Sequence, residues 1–239
     1  MDQQNRLNAV IVGVSLIAGL SALGFLLRGA ANDFKQYERT VTVKGLSERE
    51  VPADIVIWPI VFTEAGNDLG VLYKSIDTGK ERIREFLVDR GIDASEISYS
   101  LPSITDKSAQ QYGSAERAEF RYVGVQTVTV YSSRVSTVRE AMNGLSELGK
   151  SGLALRSGEY EGRIQYLFTG LNEIKPEMIE EATAKAREVA LKFAEDSDSK
   201  LGKIKRASQG QFSINPRDTN NPHIKKIRVV STIEYYLSD

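Results

Sequence analysis

Ala53 to Gly66 reads ADIVIWPIVFTEAG. Branched and aromatic residues fill this stretch and Pro52 opens it, which predicts a β-strand. Pro59 lies inside it and donates no ladder hydrogen bond, so the strand is expected at a sheet edge or at a bulge. The periodicity then changes. Leu69, Leu72, Ile76, Ile83 and Phe86 recur at helical spacing and predict a helix from about Asp68 to Arg90. Asp68 is placed to cap its first turn and Gly91 to stop it. Gly79 shares the apolar stripe and is expected to let the helix lie close to a sheet. The strand EISYSLPSI, residues 96–104, follows.

The same strand–helix–strand order repeats twice. RYVGVQTVTVYSS, Arg121 to Ser133, is a long strand. A helix over Val135 to Leu148 is expected to bury Val135, Val138, Met142, Leu145 and Leu148, with Gly149 and Gly152 ending it and a strand over Leu153 to Tyr160 after it. The third round opens with GRIQYLFTG, Gly162 to Gly170. Its helix carries Pro176 in the first turn, where a missing N–H costs little. Ile179, Ala182, Ala186, Val189 and Phe193 are the expected inner stripe. A strand near Lys203 to Ser213 and a last strand, KKIRVVSTIEYYL from Lys225 to Leu237, close the chain. Ahead of the opening strand, TVTVKG at Thr40 to Gly45 alternates as a strand, and Ser47-Glu48-Arg49-Glu50 reads as a charged hairpin turn. Long strands that alternate, rather than running fully apolar, indicate an α+β fold: mixed β-sheets with three main helices covering one face.

Leu7 to Leu27, LNAVIVGVSLIAGLSALGFLL, carries no charge. At about 20 residues it is long enough to cross a hydrocarbon core of about 30 Å as one N-terminal transmembrane helix. Arg6 and Arg28 bracket it. A cleaved signal peptide has a shorter apolar region and small residues at the cut, which Gly29-Ala30-Ala31 could supply. The length of the run and the position of Arg28 favour a retained anchor. The organisation expected is an anchor or signal peptide over 1–31, a polar linker over 32–39 and one α+β domain over 40–239. Small residues such as Gly13, Gly19 and Gly24 would let anchors pack closely.

The chain has 239 residues, 26% charged, and a formal net charge of -1. Removing residues 1–32 takes away only Asp2, Arg6 and Arg28. A near-neutral domain has no strong field for phosphate backbones, so no nucleic-acid partner is expected. The cations Lys200, Lys203, Lys205 and Arg206 read as a solvated strand edge. There is no cysteine, which removes disulfides, thiol nucleophiles and thiolate metal sites.

No motif of a serine hydrolase, zinc protease, phosphate-binding loop or dinucleotide fold is present. No catalytic residue, cofactor or metal ligand is therefore expected. His223 is the sole histidine and sits in a loop beside Lys225 and Lys226. Glu180 and Glu181 are helix neighbours and point to different faces. Glu195, Asp196 and Asp198 lack the glycine and late glutamate of a calcium loop and read as a solvated helix end. Glu64 and Asp68 are the one carboxylate pair that could serve a hydrolase. Thr105 to Glu119 and Asn215 to Pro222 are polar loops, expected to be exposed and open to partners.

VTVKG, VPADIVIWPIVFTEAG, a helix ending in FLVDRGID, EISYSLPSI, the strand Arg121 to Val130 and AREVALKFAEDSDSKLGKIKRASQ at Ala186 to Gln209 follow in an order that resembles the SIMPL-domain family. Together they cover nearly all of residues 40–239. Gly45 is followed by Leu46-Ser47, where many members carry a second glycine. The resemblance implies an exported bacterial envelope protein, sometimes linked to oxidative-stress defence, with some members forming large ring-like oligomers. It implies no agreed activity and supplies no catalytic residues. The expected function is a non-enzymatic protein anchored in the bacterial inner membrane, its domain in the periplasm or outside the cell, self-assembling as a homo-oligomer. The alternative is a binding or adaptor module that docks an envelope partner through its two polar loops.

Overall fold

The protein is described by a computed structural model that covers residue 8 and residues 11–27, 39–109, 119–156 and 162–238. Helix α1 spans residues 11–27, and every residue in it is exposed. At 1.5 Å per residue it rises about 25 Å. No helix among the described residues is long and apolar enough to cross a membrane. Leu7, Ala9 and Val10 of the expected span lie outside the described residues, as do Gly29 to Ala31 and residues 32–38 of the linker.

In chain order the remaining elements are β1 (Thr40–Pro52), β2 (Ile55–Gly66), α2 (Leu69–Asp89), β3 (Ile97–Tyr99), β4 (Ser103–Asp106) and β5 (Tyr122–Ser132). Then come α3 (Val135–Asn143), α4 (Leu145–Lys150), β6 (Ala154–Arg156), β7 (Gln165–Leu167), α5 (Leu171–Asp196), β8 (Lys200–Gln209), β9 (Ser213–Pro216) and β10 (Ile224–Ser238). The strand–helix–strand order expected from the sequence is thus present three times. The chain divides into two compact units, one of residues 50–173 with 214–227, the other of residues 1–49, 174–213 and 228–239.

The first unit is built on a six-stranded sheet. β2 and β5 pair along their whole length, from Val56 opposite Ser132 to Gly66 opposite Tyr122. β3 and β4 add to the other edge of β5, and β6 and β7 to the other edge of β2. All these pairings are antiparallel. Half-buried alternating strands suit such a sheet, with helices covering one face. Since β3 and β2 both run against β5, β2–α2–β3 is a split βαβ unit. β5–α3–α4–β6 is a second one interleaved with it, the ferredoxin-like arrangement.

β2 is central rather than an edge strand. Pro59 is accommodated differently: β7 pairs with Ile55–Ile57 and β6 with Val61–Thr63, and Pro59 falls between them. The missing donor sits where one side of the ladder is interrupted. EISYSLPSI likewise divides into β3 and β4 around Leu101-Pro102.

Phe62, Ile83, Leu87, Val128 and Val130 are fully enclosed in the core of this unit. Gly79 performs the expected role: a Cβ there would sit 2.8 Å from the Phe62 ring. The helix expected over 135–148 is broken at Gly144, whose added Cβ would meet the Arg90 guanidinium at 2.7 Å. Arg90 fills that space, stacked 3.8 Å from the Phe86 ring centre and paired with Glu147 at 2.6 Å.

In the second unit the sheet runs β1–β10–β8. The expected hairpin turn at Ser47–Glu50 does not form there; β1 continues to Pro52. Ser47 is fully buried and its hydroxyl donates to Glu181 at 2.8 Å. Arg49 pairs with Glu177, and Glu48 with Arg228. These polar residues tie β1 to α5 and β10 and are not solvated turn residues. α5 begins at Leu171, ahead of Pro176, so the proline removes a hydrogen bond to the exposed Asn172 carbonyl.

The inner stripe of α5 also differs from expectation. Met178, Ala182, Ala186, Ala190 and Ala194 are buried, while Val189 is 40% and Phe193 55% exposed and Ile179 is half-buried. β1 comes too close for large side chains. A Cβ on Gly45 would overlap the Ala182 carbonyl oxygen and lie 2.5 Å from the Ala186 nitrogen.

Candidate functional site

A concave surface with charged residues in its lining lies in the first unit, where β7 and its flanks face the turn after β9. It is an open cleft of about 830 Å³. Arg163, Ile164, Tyr166 and Leu167 form one wall, and Pro216, Asp218, Thr219 and Pro222 line the rest with Lys225. A volume of that size suits a small ligand.

Local chemistry builds the turn. Asp218 accepts hydrogen bonds from the backbone N–H groups of Asn220 at 2.9 Å and Asn221 at 2.8 Å, and from the Asn221 amide. Arg217 donates to the same carboxylate at 2.9 Å and also reaches Glu50 at 3.6 Å. The Arg217 hydrogen bond is the main reason the Asp218 carboxyl drops to about 2. Its charge is thereby held in place and neutralised. The Arg217 N–H donates to the Ile224 carbonyl, and the Ala53 N–H to the His223 carbonyl, which anchors the far end of the turn. The polar segment Asn215–Pro222 is exposed for most of its length, as its composition predicts, but internally braced.

Lys225 is only 7% exposed. It carries no hydrogen bond or ion pair to any described residue, and burial lowers its pKa. Lys226 and Arg228, its neighbours on β10, stay exposed. Arg163 is also unpaired among the described residues and exposed at the cleft wall. His223 packs edge-on against Tyr166 with ring centres 6.0 Å apart. Burial and then the Arg139 and Arg217 charges lower its pKa, so the ring is neutral near pH 7. Tyr166 is buried, which raises its pKa, and its hydroxyl faces the Met142 sulfur at 3.8 Å. Among the described residues, the charged side chains of the lining are Arg163, Lys225 and Asp218, and the acid is already engaged.

The other sequence candidates are dispersed. Asp68 caps α2 by accepting from the Val71 N–H at 2.8 Å. Glu64 lies half-buried on β2 opposite Gly124, where burial raises its pKa and Arg82 opposes that. Glu181 serves Ser47 and Lys185, and Glu180 is exposed. Glu195, Asp196 and Asp198 form the exposed end of α5, with Asp198 at a left-handed φ of 49°. No group of His, Cys, Asp or Glu among the described residues could hold a metal ion. Of the loop 105–119, Thr105 and Asp106 belong to β4, where Asp106 pairs with Arg121 at 2.9 Å; residues 110–118 lie outside the described residues. Lys203, Lys205 and Arg206 lie exposed on β8, with Lys205 reaching Glu234 at 3.1 Å.

Lys225 was not singled out by the sequence, because a lysine in KKIRVV reads as a solvent-facing strand residue. Its one legible signal is parity. Lys225, Ile227, Val229, Ser231 and Ile233 alternate on one face of β10, and all five are buried.

Fold and cleft together define a mixed α+β protein with a ferredoxin-like unit and a cationic cleft. The model of the family described as SIMPL, protein of unknown function (DUF541), matches residues 41–229, and the chain belongs to that family. No curated protein matches the chain.

Proposed function

We propose that this protein is a non-enzymatic component of the bacterial cell envelope, tethered in the inner membrane by Leu7–Leu27, that works outside the cytoplasm by assembling with copies of itself. The observation that carries the reading is the surface of the second unit. Val189, Leu191, Phe193 and Ile204 are 40–55% exposed there. Val189 and Phe193 stand one turn apart on one flank of the alanine stripe, and Leu191 on the other. β8 is exposed on nearly every residue of both faces and, among the described residues, pairs on one edge only.

Charge favours a second copy as the occupant. β8 presents Lys203, Lys205 and Arg206, while α5 presents Glu188, Glu195 and Asp196, all exposed. Lysines on an edge strand discourage pairing with a like strand. They favour carboxylates, which Glu188, Glu195 and Asp196 on α5 of another copy supply, with the exposed Lys192 standing among them. Such a head-to-tail contact joins unlike patches and closes into a ring or extends as a filament. Support for the tether comes from α1, apolar and exposed on all sides, which calls for an apolar surrounding.

The test is the particle mass of full-length protein in mild detergent, wild type against Phe193→Glu. A multimer reduced to smaller species by the substitution supports the reading, and a wild-type monomer overturns it. A second reading, docking of an envelope partner, rests on the braced turn at Asp218. It predicts loss of a co-purifying partner when residues 217–221 are replaced by glycine and serine.

A further inference from the structure

The cleft at Lys225 has a property that self-assembly does not use. A lysine whose stem is buried and whose ammonium meets an open cleft without a counter-charge is poorly compensated and available to an anion. Among the described residues Lys225 has neither hydrogen bond nor ion pair at 7% exposure, and it lines the cleft. Asp218, the acid nearest in the lining, is saturated by Arg217, Asn220 and Asn221. Arg163 adds a second cation to the lining that is unpaired among the described residues. The remaining walls include the apolar faces of Ile164, Leu167 and Pro222 and the ring of Tyr166.

We propose that this cleft is a binding site for a small organic monoanion, a carboxylate on an apolar body, whose carboxylate pairs with Lys225 and is clamped by Arg163 while its body lies on Ile164, Tyr166 and Leu167. The buried position of Lys225 gives the ligand's charge its partner. Arg163 supplies a planar fork that matches a carboxylate. Asp218 on the rim is paired with Arg217 at 2.9 Å, which leaves Lys225 and Arg163 as the cations open to a carboxylate. Thr219 also lines the cleft.

The experiment is calorimetric titration of full-length protein, reconstituted in lipid nanodiscs, with 4-phenylbutyrate as probe. Phenylbutyramide, which keeps the shape without the charge, and acetate, which keeps the charge without the body, serve as controls. The expected result is saturable binding of phenylbutyrate with at least tenfold weaker binding of each control. Lys225→Met should weaken the probe at least tenfold while leaving the melting temperature equal or higher, since the ammonium makes no hydrogen bond or ion pair to a described residue that the substitution would remove. Arg163→Gln, on an exposed side chain, should weaken it about threefold to tenfold without touching the fold. Equal binding of the amide and the carboxylate would overturn the proposal. So would unchanged binding in both variants, or a fall in melting temperature in Lys225→Met showing that the ammonium is a structural group.

Discussion

Gly45 of β1 packs directly on the Ala182 turn of α5, so closely that a Cβ on the glycine would overlap the alanine's carbonyl oxygen. The neighbouring Ala186 nitrogen would be 2.5 Å away. Backbone atoms of a helix cannot step aside as a flexible side chain can. The contact therefore fixes the distance between sheet and helix in the second unit. It also explains why the buried stripe of α5 is made of alanines. Gly45→Ala should lower stability by about 3 kcal/mol, at the upper end of ordinary overpacking. Chemical denaturation of the full chain, followed by circular dichroism, measures this. An unchanged midpoint would mean that helix and strand are not in contact at this point.

Ala186→Leu tests the same interface from the other side. Ala186 is fully buried, so a larger side chain has no room and should cost about 1–3 kcal/mol. By contrast, Val189→Ala lies on the exposed flank and should change stability by less than about 0.5 kcal/mol. If the two substitutions had equal effects, the assignment of the inner stripe to the alanines would fail.

Acid should weaken the first unit through Glu96. Its side chain accepts from Ser132 at 2.7 Å, from Arg134, and from the Asp93 N–H at 3.1 Å. Burial pushes its pKa up, but these hydrogen bonds outweigh burial and the folded value lies below the ordinary one. A carboxyl with a depressed folded pKa contributes stability above its unfolded pKa and loses it as pH falls through the folded value. Glu96→Gln should therefore cost about 1 kcal/mol at neutral pH, with the difference from wild type shrinking below about pH 4. Melting curves of both proteins across that range decide it; a difference that grows on acidification would reverse the sign.

Much of the fold was legible because strand alternation and helical spacing are local. The β2–α2–β3 round, the Asp68 cap and the Gly79 contact with Phe62 all follow from residues close in the chain. The α5 stripe was not legible in the same way. Large apolar residues dominate any reading of periodicity, and only the approach of Gly45, far away in sequence, shows that alanine is required. Ser47–Glu50 misled for a related reason. Four polar residues read as a turn unless Glu181, Glu177 and Arg228 are known to stand opposite them. Pro59 was read as marking an edge or a bulge and marks neither: β2 is central, its register with β5 is continuous, and the proline falls in the gap between the separate strands β6 and β7. The cleft was the least legible part. It depends on burial of one lysine, which composition cannot give.

The tether makes its own prediction. Full-length protein should remain in the membrane fraction after alkaline carbonate washing. Replacing Leu16 and Leu20, both exposed on α1, by arginine should release it, because charges at the centre of an apolar span cost several kcal/mol. Release of the unaltered protein by carbonate alone would contradict the tether.

The most direct measurement is the mass of the full-length particle in mild detergent at low and at high salt. If basic β8 of one copy meets acidic α5 of the next, a discrete multimer forms at low salt. High salt then shifts it toward smaller species, because exposed charge pairs are screened within about 10 Å at 0.1 M salt. A monomer under both conditions would contradict self-assembly through this surface.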